Sequence, residues 1–247
     1  MESIKANRQF MKANFKLLDD IETDQNKEIQ QPPLEKSTEI DGEKIELPKI
    51  DASIIKKDFH KAIEERRSHR KYQNYEMDLD ELGYLLWATQ GVDTIKGDNY
   101  ATIRTVPSGG ARHPFETYIF VNTVKGLKPG IYRYLALSHQ LCLVKEDEGF
   151  KEKVTEITLG QKFAAKGSVI FIWSCIPYRS EWRYNVAAHK TMLLDAGHLC
   201  QNLYLACEAI GLGTCAIAAY HQEAADLLLN IDGEEEFVVY MAPIGKV

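Results

Sequence analysis

The chain has 247 residues, with 30 Lys and Arg against 36 Asp and Glu for a formal net charge of −6. Apolar residues make up 45%, and Gly (16) and Pro (8) are ordinary in number, which excludes a disordered or fibrous chain. The acid excess argues against a dedicated duplex-DNA binder, whose affinity would come from surplus cations.

In chain order, the segment up to about Pro48 is charge-dense and contains Gln30-Gln31-Pro32-Pro33. Arg8–Leu18 reads as an amphipathic helix with Phe10, Phe15 and Leu18 on one side, and the remainder up to Leu47-Pro48 reads as extended or irregular. Residues 1–50 are expected to be an N-terminal extension, either wrapping the core or reaching a partner subunit, or else a partly ordered tail. Residues 51–247 are expected to form one globular domain. Phe59 to Ile63 fits a short helix capped by Asp58. Asp78–Ala88 fits a second, with Leu79, Leu82, Leu85 and Leu86 at helical intervals. Phe115–Val121 alternates as a strand does. Gly130–Leu135 and Gln140–Val144 read as a β-pair around Ser138-His139. Ser168–Ser174 is continuously apolar, as in a strand buried on both faces. Thr191–Ile210 reads as a long helix, apolar almost all round and therefore central and buried. Thr214–Ala218 and Phe237–Met241 are further short strands. Helices and strands mix without βαβ alternation, so the fold class is α+β.

Five cysteines, an odd number with no C-x-x-C pair, read as free thiols in a reducing compartment. No uncharged apolar run reaches the ~18 residues of a membrane span, and the first residues lack a signal-peptide core. A cytoplasmic protein with neither membrane nor nucleic acid as partner is expected. The seven histidines show no metal-ligand spacing, so no metal is expected. No G-x-S-x-G elbow points to a hydrolase. His198, Cys200 and Cys207 on the long helix read as buried packing residues. Trp173 and Trp182 read as core, or as surfaces that stack on a ring.

Two segments carry more chemistry. Arg66-Arg67-Ser68-His69-Arg70-Lys71-Tyr72 packs four certain cations into six residues. A phosphate-bearing ligand would offset their repulsion, because guanidinium forks match phosphate oxygens. A solvated helix end, neutralised by Glu64, Glu65 and the acids of Glu76–Glu81, is the plainer explanation. Pro107-Ser108-Gly109-Gly110-Ala111-Arg112-His113-Pro114 precedes a strand. Its glycines admit close backbone approach to a ligand, or simply make a turn. A third segment, Gly211-Leu212-Gly213, comes after the long helix, where glycine capping accounts for most of it. The small residues Ala216 to Ala219 beyond it would let a flat ring lie against the backbone, or only permit close packing.

Taken in order, RRSHRKY at 66–72, PSGGARHPFETYIFV at 107–121, DAGHLCQNLYLACEAIGLGTCAIAAY at 195–220 and PIG at 243–245 resemble the nitroreductase family of flavin proteins. The match is closer to its SagB-type dehydrogenase branch. The resemblance implies a nitroreductase-like α+β homodimer with a mixed, mainly antiparallel sheet flanked by helices. It implies one FMN in each of two interface sites. Arg66, Arg67, Ser68 and Arg70 would then hold the phosphate, ribityl chain and pyrimidine edge. Pro107, Ser108 and Gly109, with Gly110, Ala111 and Arg112, would approach the same flavin from the other subunit. Ala218 and Ala219 would lie near its N5, and Lys246 is the candidate for a C-terminal basic residue at the phosphate. The azoline-oxidising members carry a Lys-Tyr pair before the long helix. Here that pair is Arg183-Tyr184, so Tyr184 is the candidate catalytic residue, and Arg183 cannot accept a proton near neutrality.

The implied function is an FMN-dependent oxidoreductase. It would pass hydride from NADH or NADPH through flavin N5 to a small oxidised substrate such as a nitroaromatic, quinone or enone. The alternatives are dehydrogenation of a substrate in a modification pathway and a non-catalytic flavin-binding or storage protein.

Overall fold

A computed structural model of the chain describes residues 2–37 and 42–247. The elements in chain order are α1 (Glu2–Phe10), β1 (Lys44–Glu46), α2 (Phe59–Glu65), α3 (Leu79–Gln90), β2 (Val92–Lys96), β3 (Ala101–Arg104), β4 (Phe115–Val121), β5 (Gly130–Leu135), β6 (Gln140–Glu146), α4 (Phe150–Ile157), β7 (Val169–Cys175), α5 (Tyr178–Tyr184), α6 (Ala188–Ile210), β8 (Leu212–Thr214), α7 (Gln222–Leu229) and β9 (Phe237–Lys246). Seven strands form one sheet in the order β1-β6-β5-β4-β7-β9-β8, and β2 and β3 make a separate hairpin. Every ladder is antiparallel. The parallel contribution among the described residues is the isolated bridge between Met77 and Val124.

Strand β7 explains the layering. Its alternate side chains Val169, Phe171, Trp173 and Cys175 enter one core, and Ile170 and Ile172 enter the other. This is the period of two expected of a strand buried on both faces. The odd-numbered side packs against α3 and α6 through Leu82, Leu85, Leu86, Leu199 and Leu203. The even-numbered side packs against α4 and α7 through Phe150, Val154, Leu228 and Leu229. The result is three layers, α/β/α.

The helices start and stop where capping chemistry says they should. Asp58 accepts from the Lys61 amide at 2.9 Å and opens α2. Asp78 and Glu81 form a reciprocal capping box at the head of α3. Gly211, at φ 76°, caps α6 in the left-handed conformation.

Several expectations are corrected. The helix read over Arg8–Leu18 is instead α1, ending at Phe10, then a 3-10 turn over Phe15–Asp20. The segment between carries Ala13-Asn14, and Asn favours local backbone bonds over helix continuation. The strand read over Thr214–Ala218 is β8, ending at Thr214, with a single further bridge from Ile217 to Met241. Strand β9 runs on to Lys246 instead of stopping at Met241. Helix α6 is central, but it is not apolar-buried all round: Leu193 and Leu194 are 50% and 54% exposed. His198, expected to be buried, also lies on that open face. Helices α4, α5 and α7 and strands β1 to β3 are not anticipated by the sequence pattern. Among the described residues no helix is long and apolar enough to cross a membrane.

Leu203 is fully buried at the middle of α6 against the sheet. Leu203→Ala should lower unfolding free energy by roughly 2–5 kcal/mol, read as a lower urea midpoint at unchanged slope.

Candidate functional site

The arginine-rich segment leaves α2 at Arg66 and lies against the end of the sheet. The His69 amide donates to Thr214 O at 2.9 Å and the Gln73 amide to Lys246 O at 2.8 Å. Tyr72 donates its hydroxyl to His69 O at 2.8 Å and reaches Pro243 O at 3.2 Å. This close approach needs glycine at two points. A Cβ on Gly213 would fall 2.9 Å from His69 Cβ, and one on Gly245 would fall 2.8 Å from Tyr72 Cγ. The PIG tripeptide is thus a docking surface for the segment.

With Tyr72 tucked in, the charged side chains point outward. Arg66 stacks over Tyr204, 5.3 Å from the ring centroid, and Arg70 lies 5.9 Å from the centroid of Phe163. Arg67 donates to Glu64 O at 2.9 Å and Arg66 O at 2.8 Å. Ser68 Oγ shares a 3.1 Å hydrogen bond with Tyr204 OH, which accepts from the Ala216 amide at 2.8 Å. Among the described residues none of Arg66, Arg67 and Arg70 makes an ion pair. Two of the acids expected to neutralise them are engaged elsewhere. Glu65 pairs with Lys57 at 2.7 Å. Glu81 accepts from Tyr75 OH at 2.8 Å and from the Asp78 amide. The segment is an open set of guanidinium donors, which suits an anionic ligand group.

Ala218 and Ala219 are exposed beside this cluster. Gln161 Nε2 donates to Ala219 O at 2.9 Å, two residues from the Phe163 ring under Arg70. Lys246 points elsewhere. Its ammonium lies 5.5 Å from the Tyr75 ring centroid, near Lys56 at the C-terminal end of α6. Burial, and then Lys56, hold its pKa below the ordinary lysine value.

The glycine-rich turn is built differently. Gly110, Ala111 and His113 all have positive φ (59°, 54° and 45°). Left-handed backbone at non-glycine residues is costly and must be held by its surroundings. Asp195 of α6 provides the hold, accepting Ser108 Oγ at 2.6 Å and the Gly109 amide at 3.2 and 3.1 Å. Ser108 Oγ in turn accepts the His113 amide at 2.9 Å. Burial raises the Asp195 pKa, and the bonds from Ser108 and Gly109 oppose that rise. Tyr184 ends α5 with its ring against the turn: a Cβ on Gly110 would lie 2.5 Å from its hydroxyl. Asn185, at φ 42° and ψ −128°, turns the chain from Tyr184 toward α6.

Arg112 is buried and faces inward. It donates to Gly110 O at 3.0 Å, Tyr100 O at 2.8 Å and Gln31 Oε1 at 3.2 Å. Its guanidinium lies 4.8 Å from the Tyr100 ring centroid and 5.5 Å from that of Trp182. Trp182 therefore stacks on this guanidinium, and Trp173 is core.

The two clusters are joined by α6 and separated by it. Asp195 holds the glycine turn and Tyr204 holds the arginine segment. Nine residues are two and a half helical turns, so the two side chains leave opposite faces about 14 Å apart along the axis. Asp195 and Tyr204 fall within the 195–220 motif, but the sequence does not single them out as site residues. The available signal is one of two carboxylates, the other being Glu208, and the one phenol of the helix. Among the described residues no cluster of His, Cys, Asp and Glu gathers as a metal site would require, and the five cysteines are free and buried.

Fold and site together define an α+β protein with an open guanidinium cluster at one sheet margin and a strained glycine turn on the far side of its central helix. The chain belongs to the nitroreductase family, whose sequence profile matches residues 63–246. A nitroreductase-family protein of Methanocaldococcus jannaschii is 29% identical over 205 residues, covering 83% of this chain and 98% of its own. The trifolitoxin-processing protein of Rhizobium leguminosarum bv. trifolii is 30% identical over 166 residues, or 64% of this chain. The match spans 44% of that relative's length. Among solved structures, a nitroreductase-fold protein of Ralstonia eutropha superposes with a TM-score of 0.68 at 22% identity, covering 88% and 94% of the two chains. The NADPH:FMN oxidoreductase of Vibrio harveyi, solved with NAD+, superposes at 0.54 and 14% identity, covering 76% and 68%.

His113 supplies a pH test. Burial, then the nearby Arg104 charge, pull its pKa down to about 3, against about 6.5 in the unfolded chain. The native state thus binds fewer protons at this site, so its stabilisation is complete above pH 6.5 and is lost progressively as pH falls toward 3. His113→Asn, which tolerates positive φ, should flatten the stability–pH slope in that window when urea unfolding is compared at pH 4 and pH 7.

Proposed function

We propose that the protein is an FMN-dependent oxidoreductase that works as a homodimer, with residues 1–50 an extension to a catalytic domain over 51–247. One observation carries this reading. A guanidinium cluster without carboxylate partners and a glycine turn lined by Tyr184 and Arg183 lie on opposite faces of α6. One chain cannot bring them to a single ligand, whereas a second copy can. The exposed Leu193 and Leu194 of α6 give that copy an apolar face to cover.

The residues fit the cofactor. Arg66, Arg67, Ser68 and Arg70 offer forked cations and a hydroxyl for the phosphate, ribityl chain and pyrimidine edge. The exposed, small Ala218 and Ala219 leave backbone accessible to a flat ring. Pro107 to Gly110 supply the opposing wall from the second copy. Bound FMN would supply two-electron chemistry, taking hydride from NADH or NADPH and passing it to a small oxidised substrate. The arginines then hold fixed positive charge where negative charge develops. The Vibrio harveyi neighbour, an NADPH:FMN oxidoreductase, supports the pairing of these two ligands.

A second reading is dehydrogenation of a substrate in a modification pathway, as in the SagB-type branch. The trifolitoxin-processing relative and the seat of Tyr184 against Gly110 favour it. Tyr184 would there hold or pass the substrate proton, without help from the always-charged Arg183.

Purified protein should release FMN on denaturation, and its sedimentation should match two copies. Arg66→Ala and Arg70→Ala should each raise the Kd for FMN by about ten- to a hundredfold, the loss expected for hydrogen bonds to a charged group. Anaerobic mixing with NADH or NADPH should bleach the flavin, and double-reciprocal plots should be parallel. Bleaching by neither nucleotide would leave the second reading in place of the first.

A further inference from the structure

The N-terminal segment crosses the molecule on the side of the glycine turn. Trp182 Nε1 donates to Ile29 O at 2.8 Å, and the Gln25 amide donates to Trp182 O at 2.9 Å. Gln25 Nε2 reaches Tyr100 OH at 3.0 Å, and Gln31 Nε2 reaches Asn99 O at 2.6 Å. The segment thus ties the β2–β3 hairpin tip to α5. Further along, Arg104 donates to Leu34 O at 3.2 Å and Arg133 to Ser37 O at 2.9 Å. The Lys36 amide donates to Glu116 Oε1 at 3.0 Å, and its ammonium pairs with the buried Glu236. These last bonds pin the far end to the sheet.

Between those anchors the segment meets the turn at one point. Gln31 Oε1 is the third acceptor of the Arg112 guanidinium, whose other two are Gly110 O and Tyr100 O. Arg112 is therefore a rigid link: it grips Gly110, where φ is positive, and is itself gripped by Gln31. The segment does not hold by packing alone, because a cleft of about 960 Å³ opens between residues 30–35, Asn99, Tyr100 and Trp182. Its grip is a set of discrete hydrogen bonds, which single substitutions can remove.

We infer that residues 23–37 are a strap that fixes the conformation of the glycine turn 108–113 through the Gln31–Arg112 contact. Gln31 is a positioning residue, since it acts on the ligand face of the turn only through Arg112. The consequence for cofactor affinity rests on the function proposed above; the hold on the turn does not. A turn with left-handed backbone at Gly110, Ala111 and His113 relaxes unless each neighbour holds it. Asp195 restrains it from α6, and the strap restrains it from the opposite side.

The test uses the full-length protein. Hydrogen exchange of peptides spanning 108–113 is followed in the cofactor-free state, where the amides of Gly109, Ala111, Arg112 and His113 are all bonded. Gln31→Ala should speed their exchange about tenfold, the loss of roughly one hydrogen bond's worth of local protection, while the melting temperature stays unchanged. The double variant with Arg112→Ala should exchange no faster than Arg112→Ala alone, since both act through one link. With FMN, Gln31→Ala should raise Kd about tenfold. Unchanged exchange in the turn overturns the inference, as does a loss of protection spread over the whole chain with a matching fall in melting temperature. A wild-type protein that binds no FMN counts against the proposed function, and the exchange result still decides the strap.

Discussion

Helix α6 is the constraint on which the rest turns. Its 23 residues run through the α3 side of the core with Leu199 and Leu203 sealed against the sheet. Each motif that carries chemistry is fastened to it, the glycine turn through Asp195 and the arginine segment through Tyr204. A packed helix does not bend to bring opposite faces together. The geometry therefore keeps the two motifs apart within one chain, and the same helix leaves Leu193 and Leu194 exposed.

The electrostatics depend on where the acids go. The chain is acidic overall, yet the three arginines of its densest cationic stretch make no ion pair among the described residues, and only His69 there approaches a carboxylate, Glu208 at 3.7 Å. Glu208 is taken by Lys57 at 2.5 Å, Glu65 by the same lysine, and Glu81 by the α3 cap. Elsewhere the balance is closed inside the protein: Arg179 and Glu116 pair at 2.5 Å with both side chains buried. Breaking such a pair from one side strands a charge, so this region has little freedom to serve a ligand. An exposed guanidinium set with no counter-ion contrasts sharply with it.

Periodicity made the core elements legible. The continuous apolar run of β7, the leucine spacing of α3 and the length of α6 each reflect burial, which leaves a local imprint on sequence. The segments that escaped notice are held by distant partners. Strand β1 exists because it pairs with β6, about a hundred residues away. Helix α5 carries charges at Arg179, Glu181 and Arg183, and its form depends on the buried Arg179–Glu116 pair and on Trp182 meeting the N-terminal segment. The arginine and glycine motifs were visible as composition and order. That Arg112 turns inward was not, because Gln31, 81 residues upstream, is what it turns toward.

The sheet margins carry a consequence of their own. One margin ends in β1, three residues long and bearing exposed Lys44 and Glu46. At the other, the backbone around His69 lies along β8 and uses a carbonyl that an outside strand would need. Among the described residues neither rim offers a long, bare row of amides and carbonyls, so chains meeting rim to rim there find little to template. The segment that collects the arginines thereby also guards a crowded solution of this protein against fibril-like stacking.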